Sequence, residues 1–133
     1  MIVVDSSAII AIFRQEDEAT QYAQRIISDD DPVMSAANIV ETSIVLRGLK
    51  KISPERAERW LDDFIEAAGI RIEPVTREQA QVARSAHRRF GKGTGHEAAL
   101  NYGDCFSYAL AKTIEAPLLC KGNDFPLTDI TLA

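Results

Sequence analysis

Two cysteines in 133 residues, Cys105 and Cys120, leave no framework for a disulfide scaffold, and their spacing fits no metal cage. Both fall inside apolar segments and read as reduced, buried thiols of a cytoplasmic protein. Long hydrophobic runs are also missing. Nothing approaches the roughly 18 apolar residues needed to cross a bilayer. The N-terminus has neither the basic region nor the long apolar region of a signal peptide. Positive charge is scarce: 15 Lys and Arg against 20 Asp and Glu give a net charge of −5, which excludes a nucleic-acid coat protein that is basic over most of its surface. Repeats, low-complexity tracts and linkers are absent, so residues 1–133 read as one domain. What is present is a globular composition, 46% hydrophobic and 26% charged, in a chain long enough to bury about two-thirds of its unfolded surface.

Short apolar runs alternate with longer amphipathic segments. "IVV" at 2–4 and "VMS" at 33–35 read as buried strands, "IRIEPV" at 70–75 and "APLLCKG" at 116–122 as further strands, and "DITL" at 129–132 as a short last one. Helices are predicted from Ser6, from Asp17 to Ile27, and over "AANIVETSIVLRGLKK" at 36–51, with Val40, Ile44 and Val45 on one side. "DDDP" at 29–32 breaks the chain. "SPERAERWLDDFIEAA" at 53–68 starts with an N-cap Ser53 and Pro54, carries Ala57, Trp60, Leu61, Phe64 and Ile65 at helical spacing, and stops at Gly69. Thr76 caps a helix through Phe90, "GKGTGHEAAL" is a glycine-rich loop, and Asn101 caps the next helix. This alternation implies an α/β fold, a parallel sheet covered by helices on both faces.

Four acids occupy positions from which carboxylates can converge. Asp5 directly follows the first strand and Asp124 follows the strand "PLLCKGN", where open parallel sheets form their sites. Asp104 lies in the first turn of an apolar helix. Glu41 shares a helix face with Ala37, Ile44 and Val45, which aims it partly inward. A buried carboxylate without a partner is costly, and a hard divalent cation such as Mg²⁺ prefers such oxygen ligands. Each acid also has a plain structural use: Asp5 as an N-cap, Asp104 as a helix-dipole residue, Asp124 in a turn, Glu41 paired with a base. Setting four acids aside from a net charge of −5 leaves −1, so an acidic chain is compatible with phosphate binding at local basic patches.

In this order, "VVDSSAI", "NIVETSIVL", "LNYGDCFSYALA" and "LLCKGNDFPLTDI" resemble the PIN-domain ribonucleases, and within them the VapC-type toxins of bacterial toxin–antitoxin pairs. The resemblance covers nearly the whole chain. It implies a three-layer α/β/α sandwich with a central, mainly parallel sheet, and a Mg²⁺-dependent (or Mn²⁺-dependent) endoribonuclease site. By motif, Asp5, Glu41, Asp104 and Asp124 match the family's acidic quartet, with Asp5 and Asp104 most directly tied to metal. Ser7 matches the family's small hydroxyl residue, whose hydroxyl would orient a carboxylate or a metal-bound water. Glu41 and Asp124 are both candidates to orient the attacking water, and in-line attack by water leaves a 5′-phosphate and a 3′-hydroxyl. The implied partners are an RNA substrate, a VapB-type antitoxin whose C-terminal segment blocks the site, and a second toxin copy within a larger assembly. Operator DNA is reached only through the antitoxin, and no membrane is involved.

Around the site, "ARSAHRRFGKG" at 83–93 gathers Arg84, Arg88, Arg89 and Lys92, which are candidates for RNA phosphate as well as for simple dipole pairing at a helix end. "RGLKK" at 47–51 has the same two uses. His87 and His96 read as exposed side chains rather than general acid–base groups. The stripe Trp60, Leu61, Phe64 and Ile65 is a core face that also suits one wall of an antitoxin groove. A haloacid-dehalogenase phosphatase would need an acid where Ser7 stands, and a receiver domain would need an acidic pair at the first strand end. A housekeeping PIN nuclease and a non-catalytic co-regulator stay open, and an adjacent gene for a DNA-binding antitoxin would separate the first from a toxin.

Overall fold

The computed structural model describes residues 1–49 and 51–133. Four strands form one wholly parallel sheet: β1 (Ile2–Val4), β2 (Pro32–Ser35), β3 (Arg71–Glu73) and β4 (Leu118–Leu119), in the order β3-β2-β1-β4. Parallel strands need crossover connections, and these are helical. They are α1 (Ser6–Phe13), α2 (Ala19–Ile27), α3 (Ala36–Arg47), α4 (Pro54–Ala68), α5 (Arg77–Phe90) and α6 (Tyr102–Thr113), with a 3-10 turn at Phe125–Leu127.

The strand period of two divides the core. Val3 and Val33 face α5 and α6, packing with Ala86, Phe90, Leu110 and Leu118. Ile2, Val4 and Met34 face the other way, onto Ile9, Ile26, Leu46 and Leu61. The result is the three-layer α/β/α sandwich. Both faces of the sheet are covered, which is why "IVV" is apolar throughout. Among the described residues, no helix is long and apolar enough to cross a membrane.

Several boundaries differ from expectation. α2 begins at Ala19, not Asp17, because the chain turns first at Asp17 and Glu18. α3 ends at Arg47 with Gly48 as its C-cap instead of running to Lys51; within "RGLKK", Lys50 lies outside the described residues. β3 stops before Pro74, which has no N–H to give a ladder. β4 is two residues long, and "DITL" contributes only one bridge, Leu132 to Leu118. α4 ends as expected at Gly69, whose φ of +69° is the left-handed cap that suits glycine.

The larger correction concerns α3. Val40 and Ile44 are 59% and 57% exposed, and Val45 is also exposed. The buried face instead carries Asn38, Thr42 and Leu46. Hydrophobic pattern misassigned the face because two of its three buried residues are polar. Asn38 belongs to the site, and Thr42 bonds back to the Asn38 carbonyl.

Candidate active site

Chain order brings four separate segments to one end of the sheet. β1 lies between β2 and β4, so the chain passes to opposite sides of it, and ligands bind at the carboxyl ends of strands around such a reversal. Asp5 follows β1, α3 starts right after β2, and Asp124 follows β4. α6 precedes β4 and packs along β1, β2 and β4, which brings its N-terminal turn, with Asp104, to the same end.

Asp5 is only 3% exposed. Its Oδ2 accepts the Ser7 backbone N–H (3.0 Å), capping α1, and its Oδ1 accepts the Ser107 hydroxyl (2.5 Å). Glu41 is half-buried; its Oε1 accepts the Ser6 hydroxyl (2.5 Å) and the Asn38 amide (3.1 Å). Asn38, fully buried, also donates to the Gly103 carbonyl (2.9 Å) and accepts from Ser107 (3.0 Å). A polar web thus ties Asp5 and Glu41 through Ser107 and Asn38. Asp104 closes a capping box at the start of α6: Asn101 accepts the Asp104 N–H (2.9 Å) and Asp104 Oδ2 accepts the Asn101 N–H (3.0 Å). Asp124 is exposed and makes no side-chain cap.

Capping and convergence therefore coexist in Asp5 and Asp104. Glu41 is held by a hydroxyl and an amide, not by a base. Among the described residues, none of the four acids has a cationic side chain within 4.0 Å. Burial pushes the Asp104 carboxyl up to about 7, and the charges of Asp5, Glu41 and Asp124 push it the same way, against the Asn101 hydrogen bond. Among the described residues, no three Asp, Glu, His or Cys side chains are gathered closely enough to hold an ion. An all-oxygen donor set short of positive charge fits a hard divalent cation.

Gly103 permits this arrangement. A Cβ there would overlap the Glu41 carboxylate, so the missing side chain at position 103 lets that carboxylate lie against the start of α6. The Ser7 hydroxyl accepts the Lys121 backbone N–H (2.8 Å), tying the end of β4 to α1, while its own N–H serves Asp5. Sequence reasoning missed Ser6, Asn38, Gly103 and Ser107. The available signal was helical spacing: Asn38 is three residues before Glu41, and Ser107 three after Asp104, each a polar residue on a buried face. Replacing Asn38 with Ala removes hydrogen bonds to the Glu41 carboxylate and the Gly103 carbonyl, so Asn38→Ala should lower stability by about 2–4 kcal/mol, measured by denaturant unfolding.

The basic candidates divide. Arg84 and Arg88 lie one turn apart on α5, both exposed, and Lys92 is exposed in the following loop. Arg89 is committed elsewhere: it meets Asp129 (3.3 Å) and the Tyr108 hydroxyl (3.4 Å) and lies 4.6 Å from the centre of the Phe90 ring. His96 accepts the Ala98 N–H through Nδ1 (3.0 Å) and packs edge-on against Phe90; His87 is exposed. Both cysteines are free, with Cys105 buried and Cys120 half-buried.

The PIN-domain profile matches residues 2–130. Ribonuclease VapC28 of Mycobacterium tuberculosis is 48% identical over 132 residues, covering 99% of this chain and 97% of its own. Ribonuclease VapC of Mycolicibacterium smegmatis is 43% identical over 129 residues, covering 97% of each chain. Among solved structures, M. tuberculosis VapC20, a sarcin–ricin loop cleaving toxin, superposes with a TM-score of 0.78 at 18% identity, covering 100% of this chain and 98% of its own. VapBC2 from Rickettsia felis, bound to a DNA fragment from its promoter, gives 0.74 at 15% identity, with 100% and 98% covered.

Proposed function

The chain belongs to the PIN-domain family, and from that premise we propose that it is a divalent-metal-dependent endoribonuclease, the toxin of a VapBC-type pair, acting in the cytoplasm on transfer or ribosomal RNA. The observation that supports the catalytic part is that four carboxylates lie toward one end of the sheet with no cationic side chain within 4.0 Å among the described residues.

Asp5 and Asp104 would hold Mg²⁺ or Mn²⁺, with Glu41 and Asp124 completing the acidic rim. When bound, the cation supplies charge neutralisation at the scissile phosphate and a more acidic water. The chain's own groups provide the rest. Ser107 and the Ser7 N–H fix both oxygens of Asp5. Ser6 and Asn38 fix Glu41 by Oε1 alone, which leaves Oε2 to orient a water and take its proton. Exposed Asp124 would approach from the carboxyl end of the neighbouring strand, β4.

Partner surfaces support the toxin reading. A trench of about 620 Å³ sets apolar Phe13, Leu49, Ile52 and Trp60 beside polar Arg14, Gln15 and Lys51, a mixed lining that suits an amphipathic VapB-type antitoxin helix. Exposed Val40 and Ile44, one turn apart on α3, suit a second toxin copy. Operator DNA would be reached through the antitoxin.

Purified protein incubated with total bacterial RNA should give discrete fragments with Mg²⁺ or Mn²⁺ and none with EDTA; intact RNA under every metal condition would refute the assignment. Among the described residues, Arg84, Arg88 and Lys92 have no acidic partner within 4.0 Å. Charge reversal at Arg84 and Arg88 should weaken RNA binding and flatten its log–log salt dependence by about 0.7 per lost phosphate contact, read by titration at several salt concentrations.

A further inference from the structure

Tyr102 opens α6 two residues before Asp104, and it is 79% exposed, the most exposed large hydrophobic side chain among the described residues. Its ring meets Phe106 edge-on at 4.9 Å, one helical turn along. α5 faces the pair, and Arg84, His87 and Cys105 join them around a groove of about 260 Å³ whose walls are mostly apolar. That volume lies just below the roughly 300–1,000 Å³ of small-molecule sites, so it suits one planar ring system. Arg84 stands on the groove and Arg88 one turn beyond it. The Cys105 side chain is buried and lines the groove.

Each component fits one part of a nucleotide. An exposed aromatic face accepts a base irrespective of its identity. Arg84 on the groove and Arg88 one turn beyond it complement phosphate. The acidic site begins two residues away. A protein side chain would use the apolar walls but would leave the cations unmatched. We propose that this groove takes an unstacked nucleobase of the RNA substrate against Tyr102, making Tyr102 a positioning residue that sets the adjacent phosphate at Asp104. The proposal rests on the ribonuclease assignment.

The test compares wild type, Tyr102→Ala and Tyr102→Phe. Binding is followed by fluorescence anisotropy in EDTA, using a labelled single-stranded oligoribonucleotide of about 12 nucleotides and an abasic oligomer of equal length. Tyr102→Ala should bind the base-bearing strand about 5- to 100-fold more weakly and the abasic strand as wild type does. Tyr102→Phe should keep wild-type affinity for both, and thermal melts should agree for all three. With Mg²⁺, cleavage by Tyr102→Ala should fall chiefly through KM. Equal binding of the base-bearing strand by Tyr102→Ala, equal losses on both strands, or a wild type that does not distinguish the strands would each overturn the proposal. So would unchanged RNA affinity with lost antitoxin affinity, which would give the groove to the protein partner. Wild-type protein that leaves total RNA intact with either metal refutes the ribonuclease assignment itself; intact cleavage with an indifferent Tyr102→Ala refutes this inference alone.

Discussion

Asp104→Asn should reduce metal-dependent RNA cleavage at least about 100-fold, since the cation's electrostatic contribution amounts to several kcal/mol, while the fold survives. The capping box needs an acceptor at position 104 for the Asn101 N–H, and an amide oxygen supplies one. What the substitution removes is charge. Cleavage assays and thermal melts on the same preparation check both halves, and wild-type rates from the variant would mean that cleavage occurs elsewhere or by a contaminant.

The same substitution has a signature in pH. Asp104 has an ordinary value of 3.8 and is raised to about 7 in the fold, with burial the largest cause. A carboxyl whose pKa is higher folded than unfolded binds more protons in the native state, so it favours folding at low pH. That contribution is complete below about 4 and disappears as pH rises through about 7. Asp29, Asp31 and Asp129 are shifted below the carboxylate norm, and their opposite effect falls at more acidic pH. Metal-free protein should therefore lose stability between pH 5 and 8. Asp104→Asn should lose less, and Mg²⁺ should restore more stability at pH 8 than at pH 5. Melting temperatures across that range, with and without Mg²⁺, give the result.

Gly103→Ala should cost activity far more than stability. Alanine favours a helix over glycine by about 1 kcal/mol, and position 103 is the second residue of α6. The added methyl would meet Glu41 at the tip of its flexible side chain, which can rotate away without moving backbone. Rotation breaks the hydrogen bonds to Ser6 and Asn38 and turns the carboxylate out of the acidic set. Cleavage should fall about 10- to 100-fold, as expected when a positioned catalytic group is lost, with a melting temperature within a few degrees of wild type. A collapse in stability with little change in the specific activity of the folded fraction would contradict this account of Gly103.

Strands announced by near-continuous apolar runs, and helices opened by Ser53, Thr76 and Asn101, were legible because the signals are local. That Asp5 and Asp124 share one end of the fold was legible for a different reason: strand ends in a parallel sheet share one edge. Glu41 was aimed inward by a face with Ile44 and Val45 that is exposed. The supporting residues were not legible. Asn38 and Ser107 look like helix-surface polar residues until α3 and α6 are packed together, and Gly103 looks like an ordinary weak spot in a helix. Val40 and Ile44 misled in the opposite direction, because their apolar spacing marks a face that this chain leaves exposed. Strand length also escaped: in β4, two residues suffice because the chain after Thr128 returns to pair with Leu118.

The strand order sets a timetable for the protein as it is made. β1 emerges first, yet one of its two edges is completed only by Leu118 and Leu119. A chain growing from its N-terminus holds Asp5 from the outset but meets Asp104 and Asp124 in the last third of its length. No nascent fragment lacking that third can assemble the acidic set, and non-local pairing of this kind forms late. Synthesis thus delivers the nuclease centre as its final product, after the α1 and α4 walls of the proposed antitoxin trench have already been made.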